Sequence, residues 1–169
     1  MIAYKKENPV DIWAEPDVCI GGRAERKIGV LEVCRPVDRG IVTDWDMMEK
    51  FWHHAFYNEI RVSPSQYPVI LTEIPLNPKA NRERMAKLMF ETFEVPELFF
   101  EIAAVLALLA THRSSGCVLD SGHGTTHIVP IFECIPITHA IVKLDGLAGQ
   151  DIHEYFRILC GRRGFALKA

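Results

Sequence analysis

Val69-Ile70-Leu71-Thr72-Glu73-Ile74-Pro75-Leu76-Asn77-Pro78 carries the signals that decide the architecture. The compact apolar run from Tyr67 to Glu73 reads as a strand, and the proline-rich loop from Ile74 to Pro78 stops it. Asn77 caps a helix with Pro78 at its first position, where a missing N–H costs nothing. Within that helix Met85, Leu88, Met89 and Phe93 form the buried side, and Arg82, Glu83, Arg84 and Lys87 read as a solvated face. Pro96 ends the unit. A short strand, Glu97 to Phe100, leads into another helix, Ile102 to about Thr111, which is apolar nearly all round and is expected to be buried between layers.

Upstream, Lys27 to Cys34 reads as a strand stopped by Pro36, because proline cannot donate to a sheet ladder. Gly40 marks a turn. Thr43-Asp44-Trp45-Asp46 offers side-chain oxygens to the free N–H groups of a helix start, in capping-box spacing with Asp in place of Glu. The helix is expected to run to about Glu59, with Trp45, Met48, Trp52 and Phe56 gathered on a core face by their offsets of three and four. His53 and His54 are adjacent, so they point about 100° apart and cannot share a metal. Residues 1–17 hold Pro9, Pro16 and no clear period, which predicts a loosely ordered arm. The succession strand, helix, strand, helix places the chain in the α/β class with parallel pairing through crossover helices.

Downstream, two β-rich runs between Ser114 and Phe132 flank the turn Asp120-Ser121-Gly122-His123-Gly124, which is a hairpin. Its tip can present backbone N–H groups to an anion, because glycine permits left-handed angles and a close approach. His123 and His127 are four apart and would share a face on a strand, yet no third ligand sits at a recognised spacing, so no metal site is expected. A last helix starts at Gly149 and Asp151, runs towards Arg162 and ends at Gly164.

The composition of the 169 residues excludes several functions. With 19 Lys+Arg against 22 Asp+Glu the net charge is −3, which leaves no broad positive field for nucleic acid or an acidic membrane. The longest apolar run, Ile102 to Ala110, is about half of the roughly 20 residues that span a bilayer. The first residues lack the apolar core of a signal peptide, so a soluble intracellular protein is expected. Cys19, Cys34, Cys117, Cys134 and Cys160 are scattered without a C-x-x-C pair and read as reduced, mostly buried thiols.

Five runs carry a resemblance: Gly40 to Asp46, Trp52 to Glu59, Leu71 to Arg82, Met89 to Phe93, and Asp120-Ser121-Gly122-x-Gly124. In order and spacing they closely resemble actin, from about Cys19 to Phe165, almost without gaps apart from an extra Gly146. The likeness covers less than half of a full-length actin. It implies part of the two-domain α/β ATPase fold that actin shares with hexokinase and the heat-shock chaperones. Residues 18–113 would form a partial first domain with an incomplete sheet, and 114–169 the opening hairpin and helix of the second.

The family holds ATP and a divalent metal in a cleft, and the resemblance assigns the hairpin to the family's second phosphate loop. Asp120 matches the acidic residue that organises the metal's water shell, and His127 a histidine near the attacking water. Ser121, Gly122 and Gly124 complete this vestigial phosphate and metal loop. Ala103 stands at the family's water-positioning glutamine, His123 replaces an acidic loop residue, and Arg39 replaces a histidine beside the phosphate sensor. The first phosphate loop and the segments around the adenine have no counterpart in these residues. The expectation is therefore a cytoplasmic, cytoskeletal interaction protein without catalytic residues, cofactor or resident metal, meeting actin, actin-binding proteins or a chaperone. Self-association is expected too, through an unpaired sheet edge near Val69 to Thr72 and Glu97 to Phe100. The alternative is a protein that binds ATP with magnesium weakly, or a weak ATPase, using residues 120–124.

Overall fold

A computed structural model describes residues 2–5, 18–21, 24 and 31–165. The chain divides into two compact units, Met1–Val69 with Glu83–Glu97, and Ile70–Arg82 with Leu98–Ala169. The division therefore falls inside the strand, helix and strand that the sequence marks most clearly.

In the first unit, β1 (Ile2–Lys5) lies between β2 (Val18–Ile20) and β3 (Leu31–Cys34) and is antiparallel to both, with Ala3 level with Cys19 and Val33. Residues 2–5, expected in a loose arm, are thus the central strand of a sheet. Their partners are remote in sequence, so no local period announces them. The remainder of that arm, and residues 27–30 of the expected strand, lie outside the described residues. β4 (Val37–Asp38) and β5 (Ile41–Val42) form a small antiparallel hairpin around Arg39 and Gly40. Both turn residues have positive φ, 47° and 80°, as the primed two-residue turn requires.

Helix α1 (Trp45–His54) is capped by Asp44, whose carboxylate accepts from the Met47 N–H at 3.0 Å. Thr43 instead donates its hydroxyl to the Pro36 carbonyl at 3.3 Å, so the cap sits one residue later than a box starting at Thr43. Beyond His54 the helix loosens into a π-helical stretch, Ala55–Ile60, and stops at Arg61 with φ 62°. His54 bridges this stretch, bonded to Asn58 at 2.8 Å and to Glu59 at 3.1 Å. Trp52 and Phe56 are buried, and both rings meet Phe93, Trp52 edge-on at 6.5 Å between centroids and Phe56 at 5.4 Å. Trp45 and Met48 are only half-buried, and the Arg84 guanidinium lies 5.0 Å from the Trp45 ring. The predicted stripe is therefore core at its C-terminal end.

Helix α2 (Lys79–Glu91) buries Met85 and Met89 completely, and Leu88 in part. Asn77 joins the strand end to this helix through its side chain. Its amide donates to Glu73 at 2.9 Å and its oxygen accepts from Asn81 at 3.2 Å, while the Pro78 carbonyl closes the first turn. Arg82 is no mere solvated residue either: it grips both oxygens of the buried Glu73.

In the second unit, β6 (Val69–Glu73) and β7 (Leu98–Ile102) form a two-stranded sheet among the described residues. Helix α3 (Ala103–Ala110) follows directly. A second sheet contains β8 (Gly116–Ser121), β9 (Thr126–Phe132), β10 (Ile135–Pro136) and β11 (Val142–Leu144), with β9 antiparallel to the other three. Ala104, Val105 and Leu108 of α3 pack on Val129 and Ile131 of β9 to make the core. Gly116 permits the close approach of helix to strand, since a Cβ there would lie 3.1 Å from a Leu108 methyl. The sheet covers one side of α3 only. Ala103, Ala107, Leu109 and Ala110 are exposed, so this apolar helix is half-covered and not enclosed between layers.

Helix α4 (Gly149–Arg162) closes the unit, with Asp151 accepting from the Ala148 N–H at 3.1 Å. Among the described cysteines Cys117 is exposed and Cys34, Cys134 and Cys160 are half-buried, so the expectation of mostly buried thiols does not hold for them. No helix among the described residues is long and apolar enough to cross a membrane.

Candidate functional site

Antiparallel pairing of β8 and β9 sets Asp120 opposite His127 and Ser121 opposite Thr126, leaving Gly122 to Thr125 as the tip. Side chains alternate across a strand, so Asp120 and Ser121 point to opposite faces. On one face β11 adds Lys143 directly opposite His127, which puts the imidazole between a carboxylate and an ammonium group across three strands. On the other, the Ser121 hydroxyl donates to the Thr126 hydroxyl at 3.0 Å, and Thr126 donates in turn to the Leu147 carbonyl. The structure thus brings Asp120 and His127 together and assigns Ser121 to holding the hairpin.

His127 is 2% exposed, and its Nε2 has no hydrogen-bond partner among the described residues. Burial holds its pKa below the ordinary histidine value, and the Lys143 charge adds to this against the weaker opposing pull of Asp120 and Asp145. The ring is neutral at pH 7. Asp145 also takes the Lys143 ammonium at 3.2 Å, while Asp120 is exposed.

At the tip, the Gly122 N–H donates to the Thr125 carbonyl at 2.9 Å. The first N–H groups of α4 reach the outer carbonyls, Gly149 to Gly122 at 2.9 Å and Gln150 to His123 at 2.7 Å. In a trans peptide the C=O and the following N–H point in opposite directions. With both carbonyls drawn to α4, the N–H groups of His123 and Gly124 are turned away from it as a neighbouring pair of donors, the elements of an anion-binding nest. Gly149 permits this approach, because a Cβ there would lie 3.3 Å from the Gly122 oxygen. Neither Gly122 nor Gly124 has a positive φ, so their conformation does not demand glycine in the way the sequence argument supposed.

A model of the family described as Actin matches residues 3–168. The chain belongs to the actin family. The resemblance matches the hairpin of this actin-family chain, residues 120–124, to the family's second phosphate loop. Ala103 opens α3 with only a methyl group, and His123 is exposed at the tip, outside both strands, so it shares no strand face with His127. Arg39 belongs to the other unit, at the β4–β5 turn. No group of three His, Cys, Asp or Glu side chains able to hold a metal gathers among the described residues.

Sequence reasoning missed Lys143, Asp145, Gly149 and Gln150. The first two enter through the register of β11 on β9, which spacing along the chain does not reveal. The last two act through backbone N–H groups, for which residue identity gives no signal beyond the helix start.

Proposed function

We propose that this actin-family chain is a cytoskeletal interaction protein of the cytoplasm that has lost ATP hydrolysis, with actin or actin-binding proteins as its partners. The observation that carries the reading is Ala103. A methyl group can neither donate to nor accept from water, and phosphoryl transfer depends on a positioned nucleophile and on charge neutralised around the phosphate. Losing one such oriented group costs orders of magnitude in rate. His123, in place of an acidic residue, further weakens the hold on a divalent metal. Asp120, His127 and the tip N–H groups are what remains to hold a nucleotide's phosphates and metal.

Co-sedimentation with preformed actin filaments, controlled for self-pelleting, tests the interaction. Saturable pelleting is the expected result, and recovery only in the supernatant at all filament concentrations refutes it. The neighbouring His123 and Gly124 donors support a second reading, a nucleotide-binding protein that turns over weakly. A rise in melting temperature with ATP and magnesium, abolished by Asp120→Ala, would favour it, and steady phosphate release lost in the same variant would overturn the first reading.

A further inference from the structure

Asp145 and Gly146, the extra glycine of this chain, form the turn between β11 and α4 and belong to neither. No other Asp or Asn in the sequence precedes a glycine. The pairing matters because the amide nitrogen that follows an aspartate can attack its side-chain carboxyl carbon. A Cβ on the following residue obstructs that approach, and glycine has none. Gly146 has φ 74°, which glycine adopts at no steric cost, and a Cβ built there would meet nothing within 4 Å. The Asp145 side chain is 79% exposed, and its ion pair with Lys143 at 3.2 Å lies at the surface, where such a pair restrains a carboxylate only weakly.

Asp120-Ser121 is the contrasting case. Both residues are paired in the β8–β9 ladder and the Ser121 hydroxyl is bonded to Thr126, so this backbone is not free to turn to the Asp120 side chain. At 145–146 the flanks are pinned but the turn itself is open. Leu144 pairs with Thr126 in the ladder, and the Leu147 carbonyl accepts from the Thr126 hydroxyl. Ala148 is buried, and the Gly149 N–H donates to the Gly122 carbonyl of the hairpin tip. We infer that Asp145-Gly146 is a site of spontaneous isomerisation to isoaspartate, and that this modification loosens the hold of α4 on the hairpin tip. The Gly146 nitrogen bonds to Asp145 Cγ, the nitrogen's proton and the carboxyl's hydroxyl leave as water, and a succinimide ring forms. Water then breaks the bond from that nitrogen to the Asp145 α-carbonyl carbon, its hydroxyl going to the carbon and its proton to the nitrogen. The main chain now runs through Cβ and Cγ, and the α-carboxylate is free. Water is the sole co-reactant, and mass and formal charge are unchanged. One extra carbon between two anchors on Thr126 displaces Leu144 or Leu147 and draws Gly149 from Gly122.

Ageing the full chain at neutral pH and body temperature for several weeks tests this. Trypsin releases residues 144–157, and electron-transfer fragmentation of that peptide distinguishes isoaspartate from aspartate at residue 145. Isoaspartate should build up there at least about tenfold faster than at residue 120, and within about tenfold of its rate in the same chain held in urea, because the fold leaves the turn open. Asp145→Glu keeps a carboxylate beside Lys143 but closes a larger ring far more slowly, so its melting temperature should hold on ageing while that of the wild type falls. Occupancy of the site is read on the wild type and does not depend on the variant's folding. Residue 145 no more isomerised than residue 120, or protected by the fold more than tenfold against the urea rate, would overturn the inference. An aged wild type that melts like the aged variant would overturn the link to the tip.

Discussion

Arg82→Ala separates a surface ion pair from a buried one. The Glu73 side chain is 3% exposed and the Arg82 side chain 51%. Arg82 Nε donates to one Glu73 oxygen at 3.1 Å and the guanidinium tip donates to the other, a bidentate grip, with the guanidinium carbon 6.0 Å from the Phe100 ring centre. Exposed pairs contribute at most about 1 kcal/mol. Removing one partner of a buried pair costs ~3–5 kcal/mol, because the remaining charge stays desolvated. Two features place this pair below that limit: the arginine head is half in solvent, and Asn77 still donates to Glu73 at 2.9 Å after the change. The expected loss is therefore about 2–3 kcal/mol, within the range of hydrogen bonds to a charged group. Urea unfolding followed by circular dichroism measures it, and a double-mutant cycle with Glu73→Gln isolates the pairwise part. Arg82→Lys should recover little, since a point ammonium cannot reproduce the fork. A loss within about 0.5 kcal/mol for Arg82→Ala, the range of ordinary surface substitutions, would refute the argument and return Arg82 to a solvated face.

Trp52→Ala should cost ~3–5 kcal/mol in the same assay, because it removes a buried aromatic from its edge-on contact with Phe93; a loss below about 0.5 kcal/mol would show that face to be exposed. His127 has a folded pKa below its unfolded one, so below about pH 6.5 the unfolded chain takes up a proton that the folded chain resists, and stability falls as the pH drops towards the folded value. Thermal melts of wild type and His127→Gln should show the variant losing less on acidification, and a pH-independent difference between them would contradict the buried neutral ring. Ala103→Gln alone should leave phosphate release at the buffer blank, because His123 still stands where the family carries an acid; release above the blank would show that the missing amide was the sole defect.

What the sequence disclosed was local. The hairpin at Asp120 to His127, the helix starts at Asp44 and Asp151 and the Trp52–Phe56 end of the α1 stripe depend on residues within one or two turns of each other, where period and capping chemistry speak. Elsewhere the deciding contact joins segments far apart. β1 is a strand because residues 18–20 and 31–34 flank it, which nothing within 2–5 foretells. Arg82 looked solvated because polarity was read without knowing that Glu73 turns inward at the end of β6. The apolar circumference of α3 promised two covering layers, but among the described residues its buried side chains pack on the sheet while Ala103, Ala107, Leu109 and Ala110 stay exposed. For the site, the Asp120–His127 pair follows from hairpin register, while the Lys143 that helps keep His127 neutral required knowing how β11 returns to β9.

The tip and α4 cannot be treated as separate features. Glycines at 122 and 124 without positive φ do not by themselves fix the tip peptides. Their orientation is set by the two bonds from the α4 N-terminus, which draw the Gly122 and His123 carbonyls one way and turn the following N–H groups the other. Those bonds persist only while the first turn of α4 is formed, and that helix has no buried residue of its own to hold it. An anion on the tip donors would therefore favour the ordered first turn of α4, and whatever steadies that turn would in turn favour an anion at the tip, since coupling between two sites through one element is reciprocal.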